Sequence, residues 1–247
     1  MIGIVGGAGP LAGLDVARKI IEETKATRDQ EHLPVLLLSL PAQIPDRTDY
    51  LLGRTQENPG GPIADLFLRL EQAGATVAAI VCNTAHSEPI FGLVRQKLNE
   101  ARSQLKILNI IEEVVTVIKS RFEPAARIAV LGTMGTQQQQ LYALPLLAEG
   151  YVVLEPDRID QEKVHGAIYN SGYGIKSHSS PVHKQAVKDL QQAMDVLIDQ
   201  GAEAILLACT ELPLALPEPD YKGVPLLDPN RLLARKLIAS YAPEKLK

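Results

Sequence analysis

Short runs of consecutive apolar residues recur along the chain: Ile2 to Val5, Val35 to Leu40, Val77 to Cys82, Ile107 to Ile110, Ile128 to Leu131, Tyr151 to Leu154, Ala204 to Cys209 and Val224 to Leu227. They are continuously apolar rather than alternating, as strands are when helices cover both faces of a sheet. Between them lie longer stretches with apolar residues at helical spacing: Leu11 to Thr24, Ile63 to Ala73, Glu88 to Ala101, Gln137 to Glu149 and Lys184 to Gln200. This alternation predicts an α/β fold with parallel sheets. Two segments rich in Pro, Gly or Ser, Pro41 to Pro62 and Asn170 to Pro181, interrupt the pattern and are expected as active-site loops.

The chain also repeats itself. "IGIVGGAGP" at Ile2 aligns with "IAVLGTMGT" at Ile128, an offset of 126, and "AGATVAAIVCNT" aligns with "QGAEAILLACTE" so that Cys82 falls on Cys209, an offset of 127. Two separate anchors at nearly one offset predict two similar α/β domains, related by a pseudo-twofold. The first covers residues 1–115 and carries Cys82; the second covers 116–247 and carries Cys209. A final helix from about residue 228 is expected, packed on either domain.

With 46% apolar and 22% charged residues in 247, the composition is that of an ordinary globular protein. The formal charge of −4, with acids and bases interspersed, gives no basic face for nucleic acid. No apolar run approaches the roughly 20 residues needed to span a bilayer. The first residues run straight into a strand rather than a secretory signal, so a cytoplasmic location is expected, where two cysteines stay reduced.

Those two cysteines carry the chemistry. Each ends an apolar run and is followed at once by small polar residues, in "CNTAHSEP" and "CTELP". Open α/β sheets bind ligands beyond the carboxyl ends of their strands. Two domains packed mouth to mouth are therefore expected to hold a ligand between the two thiols. Inverting a stereocentre requires a base on one face of a carbon and an acid on the other, and a thiolate and a thiol that exchange duties can supply both. Such a closed site needs a sulfur–sulfur separation of roughly 7 to 8 Å, which excludes a disulfide. Ser or Thr caps with an early Pro predict helix starts beside each cysteine, which favour thiolate and present N–H groups to a carboxylate. Asn83, Thr84 and Thr210 add side-chain donors there. His86 and Glu211 are read either as groups that tune the thiols or orient an ammonium, or as caps. The turn "GGAGPLAG" lacks the spacing of a dinucleotide fingerprint, and the second strand ends in Ser39 rather than an acid, so it is read as a tight turn. His32, His165, His178 and His183 show no metal-ligand spacing.

The motifs "GIVGGAGP", "IPDRT" (Ile44 to Thr48), "CNTAH", "GT" (Gly132 to Thr133), "GIK" (Gly174 to Lys176) and "ACTELP" resemble the cofactor-independent aspartate/glutamate racemase family, and within it the aspartate racemases, over essentially the full chain. The resemblance implies two Rossmann-like domains with the active site between them, Cys82 and Cys209 as the two bases, no pyridoxal phosphate or other cofactor, no metal, and a homodimer. It assigns Asn83, Thr84 and Thr210 to the α-carboxylate or amino group of a small acidic amino acid, aspartate or glutamate. Arg47 and Lys176 would hold its side-chain carboxylate, a task suited to a bidentate guanidinium and a point charge. Gly7, Ala85, Thr133 and Glu211 complete the implied substrate-binding set. Ala8, where methionine is often seen, and "KSH" after Ile175 depart from the pattern and bear on the substrate rather than the chemistry. The implied activity is interconversion of L- and D-aspartate. The alternatives are a glutamate or broader-specificity racemase, a related isomerase or decarboxylase, a solute-binding module, which leaves the thiols unexplained, and an NAD-dependent dehydrogenase.

Overall fold

The computed structural model describes residues 1–6 and 8–247. Gly7, assigned above to substrate binding, lies outside the described residues. The chain forms two compact units, Met1–Val114 with Asn230–Lys247, and Val115–Pro229.

In the first unit the elements run β1 (Ile2–Val5), α1 (Pro10–Glu23), β2 (Val35–Leu38), α2 (Arg47–Leu51), α3 (Gly60–Gln72), β3 (Val77–Ile80), α4 (Glu88–Glu100) and β4 (Lys106–Leu108). The sheet order is β2-β1-β3-β4 and every pairing is parallel. All residues of the two central strands are buried, whereas the outer strand β2 is only half-buried, which is why its apolar run reads the same but does less in the core. Val5, Phe67, Ile80 and Ile90 belong to the core on one side of this sheet. Gly6 and Gly13 explain each other: a Cβ on Gly13 would sit 2.7 Å from the Gly6 Cα, so the glycines let α1 close onto the end of β1.

The second unit continues with α5 (Ile110–Arg121), which runs across the boundary, then β5 (Arg127–Gly132), α6 (Met134–Gln138), α7 (Ala143–Ala148), β6 (Val152–Leu154), α8 (Arg158–Tyr169), α9 (Lys184–Asp199), β7 (Ala204–Ala208), α10 (Leu212–Ala215), β8 (Asp220–Tyr221) and β9 (Val224–Leu227). Its sheet order is β6-β5-β7-β9-β8. The first four strands are parallel and repeat the arrangement of the first sheet; β8 adds an antiparallel edge. The chain is thus α/β, with one mainly parallel sheet in each unit.

The last helix, α11 (Pro229–Tyr241), joins the first unit from Asn230 onward. Asn230 Nδ2 donates to Asp15 Oδ2 at 2.8 Å, and Arg231 and Arg235 pair with Glu23. Asp15 also pairs with Lys19, and all three of Asp15, Lys19 and Asn230 are buried. Farther on, Lys25 N donates to Lys245 O at 2.7 Å and Lys247 N to Glu23 O at 3.0 Å.

Local details depart from the periodicity. The run to Ile110 is not all strand, because β4 stops at Leu108 and Ile110 opens α5. The stretch Gln137 to Glu149 is two short helices, broken where Gln140 takes a φ of 50°. Pro41 to Pro62 contains α2, started by Asp46, whose carboxylate accepts from Asp49 N at 3.0 Å, and the beginning of α3. Among the described residues no helix is long and apolar enough to cross a membrane.

Candidate active site

The two cysteines occupy matching places. In the first sheet Val5 is registered with Ile80, and Cys82 lies two residues beyond; in the second, Leu131 is registered with Leu207, and Cys209 lies two residues beyond. Both are free thiols and both are 7% exposed. Each therefore sits at the carboxyl end of a central parallel strand, where open α/β sheets carry their ligands.

After Cys82 the chain makes one 3-10 turn, Thr84–His86, before α4 begins at Glu88. Asn83, Thr84, Ala85 and His86 are all buried. Ser87 stands at the N-cap of α4 but makes no side-chain cap bond, so the intervening turn, rather than a capped helix start, adjoins this thiol. The Cys82 sulfur lies 3.3 Å from Thr84 Oγ1. His86 places Nδ1 2.9 Å from the Cys82 carbonyl and its ring 4.8 Å from that of Phe91. Burial lowers its pKa to about 4, against opposing hydrogen bonds to the Cys82 and Leu108 backbone, so the imidazole is neutral at physiological pH. This anchors the turn rather than supplying charge. Because the unfolded His titrates near 6.5, the unfolded chain takes up the proton first on acidification. The stability tied to a neutral His86 is thus complete above that value and is lost as pH falls from about 6.5 toward 4. Urea midpoints at pH 7 and pH 5 check this, and His86→Gln reduces the difference between them.

Arg47 opens α2, which packs against the Thr84–His86 turn. It is not a solvated loop cation: it is 5% exposed, with Nη2 donating to the Ala8 carbonyl at 2.6 Å and Nη1 to the Pro45 carbonyl at 3.2 Å. A buried cation is costly unless its donors are used. Here the backbone around β1 and the "IPDRT" segment orients it beside the turn that follows Cys82.

Cys209 has a different environment. Its Sγ donates to Glu211 Oε2 at 3.0 Å, Thr210 Oγ1 donates to the same oxygen at 3.2 Å, and Lys176 Nζ donates to Glu211 Oε1 at 2.7 Å. Lys176 also lies 5.0 Å from the centre of the Tyr169 ring, which stacks on His165 at 4.7 Å. Burial pushes the Cys209 thiol up, Glu211 adds to this, and Lys176 opposes it. That reverses the expectation of a helix start favouring thiolate: α10 has only four residues, and its cap position is held by Glu211, an anion. Tyr142 is fully buried and stays protonated, through burial first and, once Cys209 ionises, through the thiolate charge nearby. Thr133 is buried and spends its hydroxyl on α6, accepting from Thr136 N at 3.2 Å. Tyr142, Tyr169 and His165 were missed as neighbours of these groups because they lie in stretches without a motif.

Geometry thus groups Arg47, Asn83, Thr84 and Ala85 in the first unit, and Lys176, Thr210 and Glu211 in the second. The model of the Asp/Glu/hydantoin racemase family matches residues 5–237. The chain belongs to that racemase family. Among curated proteins, it is 28% identical over 245 residues to the broad-specificity amino-acid racemase RacX of Bacillus subtilis, covering 98% of each chain. Among solved structures, an aspartate racemase from Picrophilus torridus is 28% identical with a TM-score of 0.82, covering 100% of this chain and 95% of that one. A glutamate racemase from Francisella tularensis, solved with D-glutamate, shares the fold at 15% identity and a TM-score of 0.64, covering 98% of this chain and 81% of its own. Family membership makes an isomerase of the racemase type the frame in which these side chains act.

Proposed function

We propose that this family member racemises aspartate without a cofactor, Cys82 and Cys209 exchanging protons with opposite faces of the α-carbon. The observation that carries the reading is the matched placement of the two free thiols, each two residues past the same register point in two sheets whose four parallel strands share one arrangement. Removal of the α-proton by one sulfur leaves a carbanion whose charge spreads onto the α-carboxylate; the other sulfur then delivers a proton from the far side. Asn83, Thr84 and Thr210 bind the α-carboxylate or amino group, and donors aimed at the developing charge stabilise it. Arg47 and Lys176 hold the side-chain carboxylate.

Incubation of the purified protein with L-aspartate in heavy water tests the reading. Deuterium at the α-carbon and D-aspartate should appear together, with no nicotinamide or pyridoxal phosphate added; aspartate recovered with neither change rejects it. Similarity to a broad-specificity relative supports a second reading, in which several amino acids are racemised, and the same assay across a substrate panel separates the two.

Arg47→Met should raise the KM for aspartate by about 10- to 100-fold, the loss expected for a hydrogen bond to a charged group. On the broad-specificity reading it should change little for alanine, which lacks the second carboxylate. Arg47→Lys should not restore binding, because an ammonium cannot hold a carboxylate through a planar fork. Steady-state kinetics on the two substrates checks both statements.

A further inference from the structure

The two thiols are equally enclosed, yet their sulfurs meet chemically different groups. Cys82 faces the hydroxyl of Thr84, which can donate to a thiolate as readily as accept from a thiol. Cys209 faces a carboxylate oxygen, Glu211 Oε2, at 3.0 Å. An ionised carboxylate only accepts, so this contact is a hydrogen bond only while the proton remains on sulfur. Glu211 is kept ionised by the 2.7 Å bond from Lys176 Nζ to its other oxygen and by the Thr210 hydroxyl. The groups facing Cys209 are Glu211 and Thr210 from its own turn, Lys176 from the segment after α8, and the protonated Tyr142 ahead of α7. The charges among them are those of Glu211 and Lys176.

Resting on the two-cysteine reading above, we propose that Glu211 is a positioning residue that holds the proton on Cys209 in the free protein, making Cys209 the acid and Cys82 the base of the first turnover. Lys176 limits how firmly that proton is held.

The proton balance follows directly. The Cys82 thiolate takes the α-proton and becomes a thiol, while the Cys209 S–H gives its proton to the opposite face of the carbanion and becomes a thiolate. That thiolate then stands beside the Glu211 carboxylate, two like charges in contact, and Lys176 is the cation that makes this second form accessible. The two half-turnovers are therefore unequal by construction. The asymmetry arises because the residue two positions after the cysteine is Glu211 in one motif and Thr84 in the other.

Alkylation by iodoacetamide, read at each cysteine by mass spectrometry without substrate between pH 6 and 10, tests this. In the wild type Cys82 should react first, and the midpoint for Cys209 should lie at higher pH; the midpoint, unlike the absolute rate, does not depend on how accessible each sulfur is. Glu211→Gln, which keeps the shape but removes the charge, should move the Cys209 midpoint down and speed its modification at pH 8 at least tenfold, leaving the Cys82 profile in place. Lys176→Met should move the Cys209 midpoint up, because it removes the cation that opposes Glu211; a Glu211 acting only through its shape would leave the Cys209 midpoint unmoved in Glu211→Gln. Cys209 reacting first in the wild type, or an unchanged Cys209 profile in Glu211→Gln, overturns the proposal. Deuterium exchange into aspartate on the same preparations judges the racemase reading separately: its absence from the wild type, with the alkylation order intact, rejects that reading and with it the acid and base roles.

Discussion

Replacing either cysteine with serine should lower racemisation of aspartate by about a thousandfold, within the roughly 10²–10⁴ range of a positioned acid or base. A hydroxyl is a far weaker acid than a thiol, so serine fails both to take the α-proton as an alkoxide and to return one readily. The two single variants should differ in what remains. With Cys209 alone, a proton can still be removed from and returned to one face of the carbon. With Cys82 alone, the same holds for the other face. Each variant should therefore exchange deuterium slowly into one enantiomer, and not the same one, while forming almost none of its mirror image. The double variant should be no worse at racemisation than either single one, because inversion fails as soon as one partner is lost. Proton NMR of L- and D-aspartate in heavy water, with circular dichroism to confirm folding, reads all three outcomes. A serine variant that racemises at the wild-type rate would remove the two-base mechanism.

The second large effect is on stability. Asp15→Leu should destabilise the first unit by about 3–5 kcal/mol, because it leaves the Lys19 ammonium buried with its carboxylate gone. For a chain of this size the expected drop in Tm is about 10 °C. Adding Lys19→Met to the same protein should recover most of the loss, since replacing both members of a buried pair by apolar side chains is often close to neutral. The pair also has a pH signature. Burial opposes the Asp15 charge, but hydrogen bonds from Arg18, Lys19 and Asn230 outweigh it and hold the carboxyl below its ordinary value of 3.8. The unfolded chain then binds the proton first, so this contribution is fully present above that value and is lost as pH falls further. Thermal melts of the single and double variants at neutral pH, and of the wild type down to pH 3, check the sizes and the sign.

What the sequence revealed is what repeats locally. A central parallel strand buried on both faces must be apolar throughout, so β1, β3, β5 and β7 announced themselves, and with them the matching ends that carry Cys82 and Cys209. α8 was missed because its residues are mostly polar, with Val164, Ala167 and Ile168 making only a narrow buried stripe. The break near Gln140 has no warning in the glutamines themselves, but Pro145 forbids one helix through the stretch and is tolerated only because α7 starts at Ala143. The assignment of Arg47 to substrate came from a motif, but its burial against two carbonyls depends on how "IPDRT" folds beside Ala8, which periodicity does not encode. Which thiol is ionised was not legible for a related reason. A helix start suggested a stabilised anion, whereas Lys176, distant in sequence, reaches Glu211 and leaves that carboxylate against the sulfur. Likewise nothing in the chain near Asp15 points to Asn230.

The return of α11 to the first unit also sets an order of events during synthesis. A ribosome that has delivered everything up to Pro229 has released all of Val115–Pro229, while the earlier unit still lacks Asn230 against Asp15, the arginines against Glu23 and the closing bonds at Lys25. The part translated first is thus the part completed last, and the nascent polypeptide carries α1 without these partners until residues 230–247 emerge.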